Sequence, residues 1–175
     1  MGKTWQACKL EVFHGSILDK TFIEQLGQFD LVYSWGVLHH TGNMWEAIDN
    51  ALTLVRQNGF FYLTIYKDDS YDHSIRQKKN YNSASSFGKK IIESYHIFRI
   101  MVKRILHLKN PFTWNEKLER GMNIYHDLVD WLGGLPYEAA SEDEMLQWGI
   151  RNNLKLKRIL CKGNYGSCNY YLFQK

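Results

Sequence analysis

Two apolar runs, Phe29–Trp35 (FDLVYSW) and Phe60–Tyr66 (FFYLTIY), flank a segment of helical periodicity, and this triplet constrains the fold more than any other feature. Met44, Ala47, Ile48, Ala51, Leu52 and Val55 recur at i, i+3, i+4, i+7, i+8 and i+11, which lays one apolar stripe along a helix. Asn43 followed by Glu46 predicts a capping box at its start, and Arg56 with Gly59 marks its end. The flanking runs are rich in β-branched and aromatic residues and too apolar for a sheet with one wet face. Strand, helix, strand of this kind implies a parallel sheet covered on both faces.

The rest of the chain extends this rhythm and then breaks it. Leu10–Phe13 reads as a short strand ending at His14-Gly15-Ser16, and Asp19 is placed to cap a helix over Thr21–Leu26 that Gly27 stops. Residues 71–86 are polar and read as loop or frayed helix. Phe87–Lys109 predicts a long helix closed by Pro111, and a further helix is expected over Tyr125–Leu132, before Gly133-Gly134. Ser141 with Glu144 signals a capped helix running to about Asn152. Leu154–Cys161 and Asn169–Phe173 then form an antiparallel hairpin.

Composition narrows the class. With 175 residues, 45% apolar and 23% charged, the chain has the make-up of one globular domain, and disorder is excluded as its main state. No apolar run approaches the roughly 20 residues of a membrane span. The first residues lack a signal-peptide pattern, so a cytoplasmic location is expected. Cys8, Cys161 and Cys168 are too few for a four-ligand zinc site or a disulfide framework, and no metal is expected. Charge is uneven: residues 67–120 hold twelve Lys/Arg against six Asp/Glu, whereas residues 1–66 hold four against six. The middle segment is therefore where an acidic partner or surface would be met.

Phe29–Tyr66 (FDLVYSWGVLHHTGNMWEAIDNALTLVRQNGFFYLTIY) resembles the fourth strand, helix and fifth strand of class I S-adenosylmethionine-dependent methyltransferases. Gly15–Asp19 (GSILD) resembles the turn after that family's third strand. Asp130–Ser141 (DWLGGLPYEAAS) resembles the segment before the last helix of its small bacterial-type members, and the closing hairpin is similar too. The resemblance implies an α/β fold built on an incomplete Rossmann-like doubly wound sheet, with strands equivalent to 3-4-5-7-6. Leu10–Phe13 would pair directly with Phe29–Trp35, and residues 67–134 would form a helical insertion after the third strand of one truncated domain over 1–175. S-adenosyl-L-methionine is the implied cofactor, with Ser16 and Ile17 at its adenine and Ser34, Trp35 and Gly36 under its methionine part. The implied acceptor is a small molecule or lipid-like, with His39, His40 and Tyr66 as the catalytic candidates beside it. The family's first strand, its glycine-rich GxGxG-type turn and the acidic residue after its second strand have no counterpart, and Gln57-Asn58-Gly59 replaces a Pro-Gly-Gly-like turn. A complementing chain, self-association or weak cofactor binding is the expected consequence.

Each candidate also has a plainer reading. His39 and His40 would orient or deprotonate an acceptor, or one would pack against the strand while the other caps the helix or faces solvent. Trp35 is either a cofactor wall or core, Ser16 either a ligand or a turn residue, and Tyr66 either faces the acceptor or caps the sheet. Tyr125, His126, Asp130 and Trp131 either line a pocket or pack helices. The basic stretch 87–109 is a lid, an amphipathic helix meeting anionic lipid through Lys89, Lys90, Lys103 and Arg104, or a nucleic-acid face. Charges spread around the helix rank the lid first, peripheral membrane contact second and nucleic acid third. The alternative function is a non-catalytic interaction module.

Overall fold

The computed structural model describes residues 10–68, 71–115, 121, 123–161 and 168–175; Cys8 and the side chain of Cys161 lie outside the described set. Among the described residues, besides two 3-10 turns, the α-helices and strands are α1 (Lys20–Gln25), β1 (Phe29–Trp35), α2 (Met44–Thr53), β2 (Val55–Tyr66), α3 (Tyr71–Ser83), α4 (Ser86–Leu106), α5 (Ile124–Gly133), α6 (Glu142–Arg151), β3 (Lys155–Cys161) and β4 (Cys168–Gln174). The fold is α/β, with a mixed, open, four-stranded sheet in the order β1-β2-β4-β3. β1 runs parallel to β2, with Leu31 opposite Phe60 and Trp35 opposite Thr64. β4 is antiparallel to both β2 and β3, which gives the expected closing hairpin. No helix among the described residues is long and apolar enough to cross a membrane.

The apolar stripe of α2 does what its spacing requires as far as Leu52, whereas Val55, placed last on it, opens β2 instead. Met44, Ala47, Ile48 and Ala51 are buried against Phe61, Leu63 and Ile65 of β2 and Tyr171 and Phe173 of β4, with Met145 and Trp148 of α6 completing the core. Gln57-Asn58-Gly59 makes the expected turn as an excursion inside β2: the register shifts between the Phe29–Val55 and Leu31–Phe60 pairs. Asn58 takes φ 64°, and a Cβ on Gly59 would lie 2.9 Å from the Arg56 carbonyl oxygen, so only glycine fits there.

Four expectations are corrected. Leu10–Phe13 is not a strand and does not pair with β1; Leu10 is 85% exposed. A strand needs a ladder as well as β-formers, and β1 offers its hydrogen-bonding edge to nothing among the described residues. The helical insertion consequently follows the second strand, not a third. The sheet is not covered on both faces: Leu31 and Tyr33 are 55% and 60% exposed, and Phe60 beside them is open too. Polar residues 71–83, read as loop or frayed helix, form the helix α3. Finally, Asn43 does not cap α2. Its amide donates to Glu46, and the Glu138 carboxylate accepts the Met44 N–H at 3.1 Å instead. The same box signature does form at α6, where Ser141 and Glu144 bond reciprocally.

Candidate functional site

At the end of β1 the chain must leave the sheet, and Gly36 does so at φ 74°, a left-handed conformation that costs glycine little. The buried Thr64 hydroxyl on β2 accepts the Gly36 N–H at 2.8 Å and pins this turn. A single 3-10 turn, Leu38–His40, then sends His39 inward and leaves His40 half-buried at the rim. The segment between α5 and α6 is stitched across these strand ends. Glu138 N–H donates to the His39 carbonyl and Ala140 N–H to the Tyr66 carbonyl, both at 3.0 Å. The His40 Nδ1 lies 2.7 Å from the Pro136 carbonyl oxygen. A carbonyl oxygen only accepts, so Nδ1 carries the proton in this bond.

These elements enclose a cavity of about 510 Å³ at the carboxyl ends of the two parallel strands. Trp35, Gly36, His40, Tyr66, Cys168 and Tyr170 form the sheet side. Lys78 of α3 and Asp127, Asp130 and Trp131 of α5 form the opposite side, with Gly134 and Leu135 beyond them. Lys78 is buried, donates from Nζ to the Trp131 carbonyl, and lies 4.7 Å from the Trp131 ring centre and 4.9 Å from that of Tyr137. Burial pulls its ammonium down to about 8, with Asp130 opposing. Burial pushes the Tyr66 phenol up to about 12, and the neighbouring Cys168, Tyr137, Asp130 and Asp127 add to this, so Tyr66 enters the cavity as a neutral donor.

The sequence-selected residues separate into two groups. Trp35, Gly36, His40 and Tyr66 meet at the cavity, as do Asp130 and Trp131. His39 lies behind it, fully buried, with its ring 4.1 Å from that of Tyr66 and neither nitrogen in a well-formed hydrogen bond among the described residues. Burial, and then the adjacent His40, lower it to about 3, partly offset by the Thr64 backbone; it is a neutral packing residue. Ser34 pairs with the buried Leu63 and does not line the cavity. Ser16 and Ile17 are absent from it as well. The Ser16 hydroxyl accepts the Leu18 N–H at 3.2 Å, and the Ile17 carbonyl accepts Nδ2 of Asn50 from α2 at 2.9 Å. Tyr125 and His126 also lie outside the lining, Tyr125 donating its hydroxyl to Glu93.

Lys78, Asp127, Gly134, Leu135, Cys168 and Tyr170 also line the cavity, and sequence reasoning selected none of them; for Lys78 a signal existed. The available signal was the spacing of Ser74, Lys78 and Tyr81, i, i+4 and i+7, which is the buried face of α3. A second, shallow groove of about 640 Å³ lies between α2 and α6, where Trp148 Nε1 donates to Asp49 at 2.8 Å; it gathers none of the sequence-selected residues. Chemically, the first cavity offers aromatic walls, two carboxylates, one confined ammonium and one imidazole. The chain matches no family model and no curated protein.

Proposed function

We propose that this chain carries the sulfonium and acceptor side of an S-adenosylmethionine-dependent methyltransferase acting on a small-molecule or lipid-like acceptor. The observation that supports it is the meeting of Trp35, Gly36, His40 and Tyr66 at one cavity beyond the carboxyl ends of β1 and β2. That is where ligands of open α/β sheets bind.

The residues at hand fit one end of the implied cofactor. Trp35 and Trp131 offer π-faces suited to a sulfonium, and Asp127 and Asp130 suit an ammonium group. A side chain on Gly36 would meet nothing within 4 Å, so the glycine leaves backbone open to close approach. Ser16 and Ile17 are given no part in this assignment, because they lie against α2 and away from the cavity. When bound, S-adenosylmethionine supplies an electrophilic methyl on a good leaving group, so little acid–base chemistry is asked of the protein. His40 Nε2 takes up the proton that the acceptor gives away. The Trp35, Trp131 and Leu135 side chains displace water, and Lys78 holds the carbonyl end of α5 in place to keep the walls at fixed spacing.

Calorimetry and thermal unfolding with S-adenosylhomocysteine test the reading. A ligand at 100 times its dissociation constant adds about 2.7 kcal/mol, Trp35→Ala weakens binding about tenfold, and Ser16→Ala leaves it unchanged. Lack of any stabilisation at millimolar ligand rejects it. The second reading, a non-catalytic module that associates with a complementing chain or a second copy, draws support from the open sheet face at Leu31, Tyr33 and Phe60.

A further inference from the structure

α4 is held to the rest of the insertion by one buried carboxylate. Glu93 accepts the Tyr81 hydroxyl from α3 at 2.8 Å, the Tyr125 hydroxyl from α5 at 2.8 Å, and Lys90 from its own helix at 2.8 Å. These bonds fix the helix's rotation about its axis. Residues on the side away from Glu93 are then committed to the exterior.

That outer side is apolar. Phe87, Ile91, Tyr95, Phe98 and Ile105 fall at i, i+4, i+8, i+11 and i+18, one stripe along 21 residues, and all are exposed, Phe98 at 63%. The stripe continues past the helix end. Leu106 and Phe112 are exposed and Leu108 is 98% so. Arg104 fixes this tip by donating from Nε to the Asn110 carbonyl at 2.8 Å and from its guanidinium to the Thr113 hydroxyl at 2.7 Å.

Along the helix and its tip, the charges that flank the stripe have one sign. Residues 86–110 contain six Lys/Arg and one acid, and that acid is the inward-facing Glu93. Arg99 and Lys103 stand exposed beside the stripe, and Lys109 lies at the tip. A second copy of this helix, face to face, would oppose like charges. A nucleic acid would leave the aliphatic side chains without a counterpart. An apolar stripe with basic shoulders and no carboxylate on the outer side of the helix matches the interface of an anionic bilayer, with acyl chains beneath and phosphates beside.

We propose that α4 and its tip form a membrane-docking surface, lying in the plane of an anionic lipid leaflet with Phe98, Leu106, Leu108 and Phe112 among the inserted side chains. This stands independently of the cavity's chemistry, since none of its residues lines the cavity.

Co-sedimentation with vesicles tests it, using phosphatidylcholine alone and phosphatidylcholine mixed with phosphatidylglycerol. The chain is expected to bind the mixed vesicles, more weakly as salt rises. Phe98→Glu lowers that binding by about tenfold or more, and Lys103→Glu by about fivefold for anionic vesicles only. Tyr33→Glu, on the open sheet face, leaves it unchanged, which separates docking from general stickiness. Circular dichroism and the thermal midpoint of each variant show that the fold is retained. Equal binding to neutral and anionic vesicles, or full binding by a folded Phe98→Glu chain, overturns the proposal. So does a soluble dimer that Phe98→Glu dissociates while no vesicle binds.

Discussion

His40 and Pro136, 96 residues apart in sequence, are joined by a 2.7 Å hydrogen bond from the imidazole Nδ1–H to the prolyl carbonyl oxygen. The bond ties the turn after β1 to the segment between α5 and α6 and sets the tautomer of the ring. His40→Asn keeps a donor at the Nδ1 position, and His40→Ala does not. In urea unfolding, Asn is expected within about 0.5 kcal/mol of the parent and Ala about 1 kcal/mol below it. Both lose the basic nitrogen, so an equal loss of stability would show that the tie to Pro136 is not what His40 contributes.

His39 makes the fold sensitive to acid. Its pKa falls from 6.5 to about 3 on folding, so between those values the unfolded chain binds the proton and the folded one does not. Stability is therefore complete above about pH 6.5 and declines as pH drops, by about 2 kcal/mol at pH 5. His39→Leu removes both the titration and two buried nitrogens in no well-formed hydrogen bond among the described residues. The variant is expected to be at least as stable at pH 7 and to show a flatter thermal midpoint between pH 7 and pH 5.

Thr64→Val keeps the shape of the side chain and deletes the acceptor for the Gly36 N–H. The expected cost is about 1–3 kcal/mol, with Thr64→Ser recovering most of it. Gly36→Ala adds strain of about 1–2 kcal/mol at the same turn, because its φ is positive. Denaturant midpoints at unchanged slope would check both.

Glu93 gathers three donors. Burial alone would raise its pKa, but Lys90, Tyr81 and Tyr125 outweigh burial and leave it below the ordinary carboxylate range. A depressed carboxylate contributes stability that is present above its unfolded pKa and lost as pH falls below it. Glu93→Ala is expected to cost about 1–3 kcal/mol near neutral pH and to loosen α4 from α3 and α5. Hydrogen exchange should show faster exchange in 86–106 than in α2.

What could be read from the residues depended on whether the deciding contact was local. The α2 stripe and the Ser141–Glu144 box carry their own instructions within a few residues, and both formed. Asn43 and Glu46 carry the same local signature, yet Glu138, 94 residues away, took the Met44 N–H; a tertiary competitor won. Leu10–Phe13 has strand composition without a strand partner. Trp35, Gly36 and Tyr66 were legible as cavity residues because strand ends are where an α/β sheet gathers its loops. Lys78 was not, since its burial is set by α5 and the Tyr137 segment rather than by the polar residues around it.

Nothing among the described residues pairs with the outer rim of β1, and this has a practical consequence. Its backbone groups and the exposed side chains of Phe29, Leu31 and Tyr33 together make a template on which further chains can stack. The shelf life of concentrated solutions will therefore be governed by this strand rather than by melting of the core. A lysine in place of Leu31 is the simplest way to lengthen it.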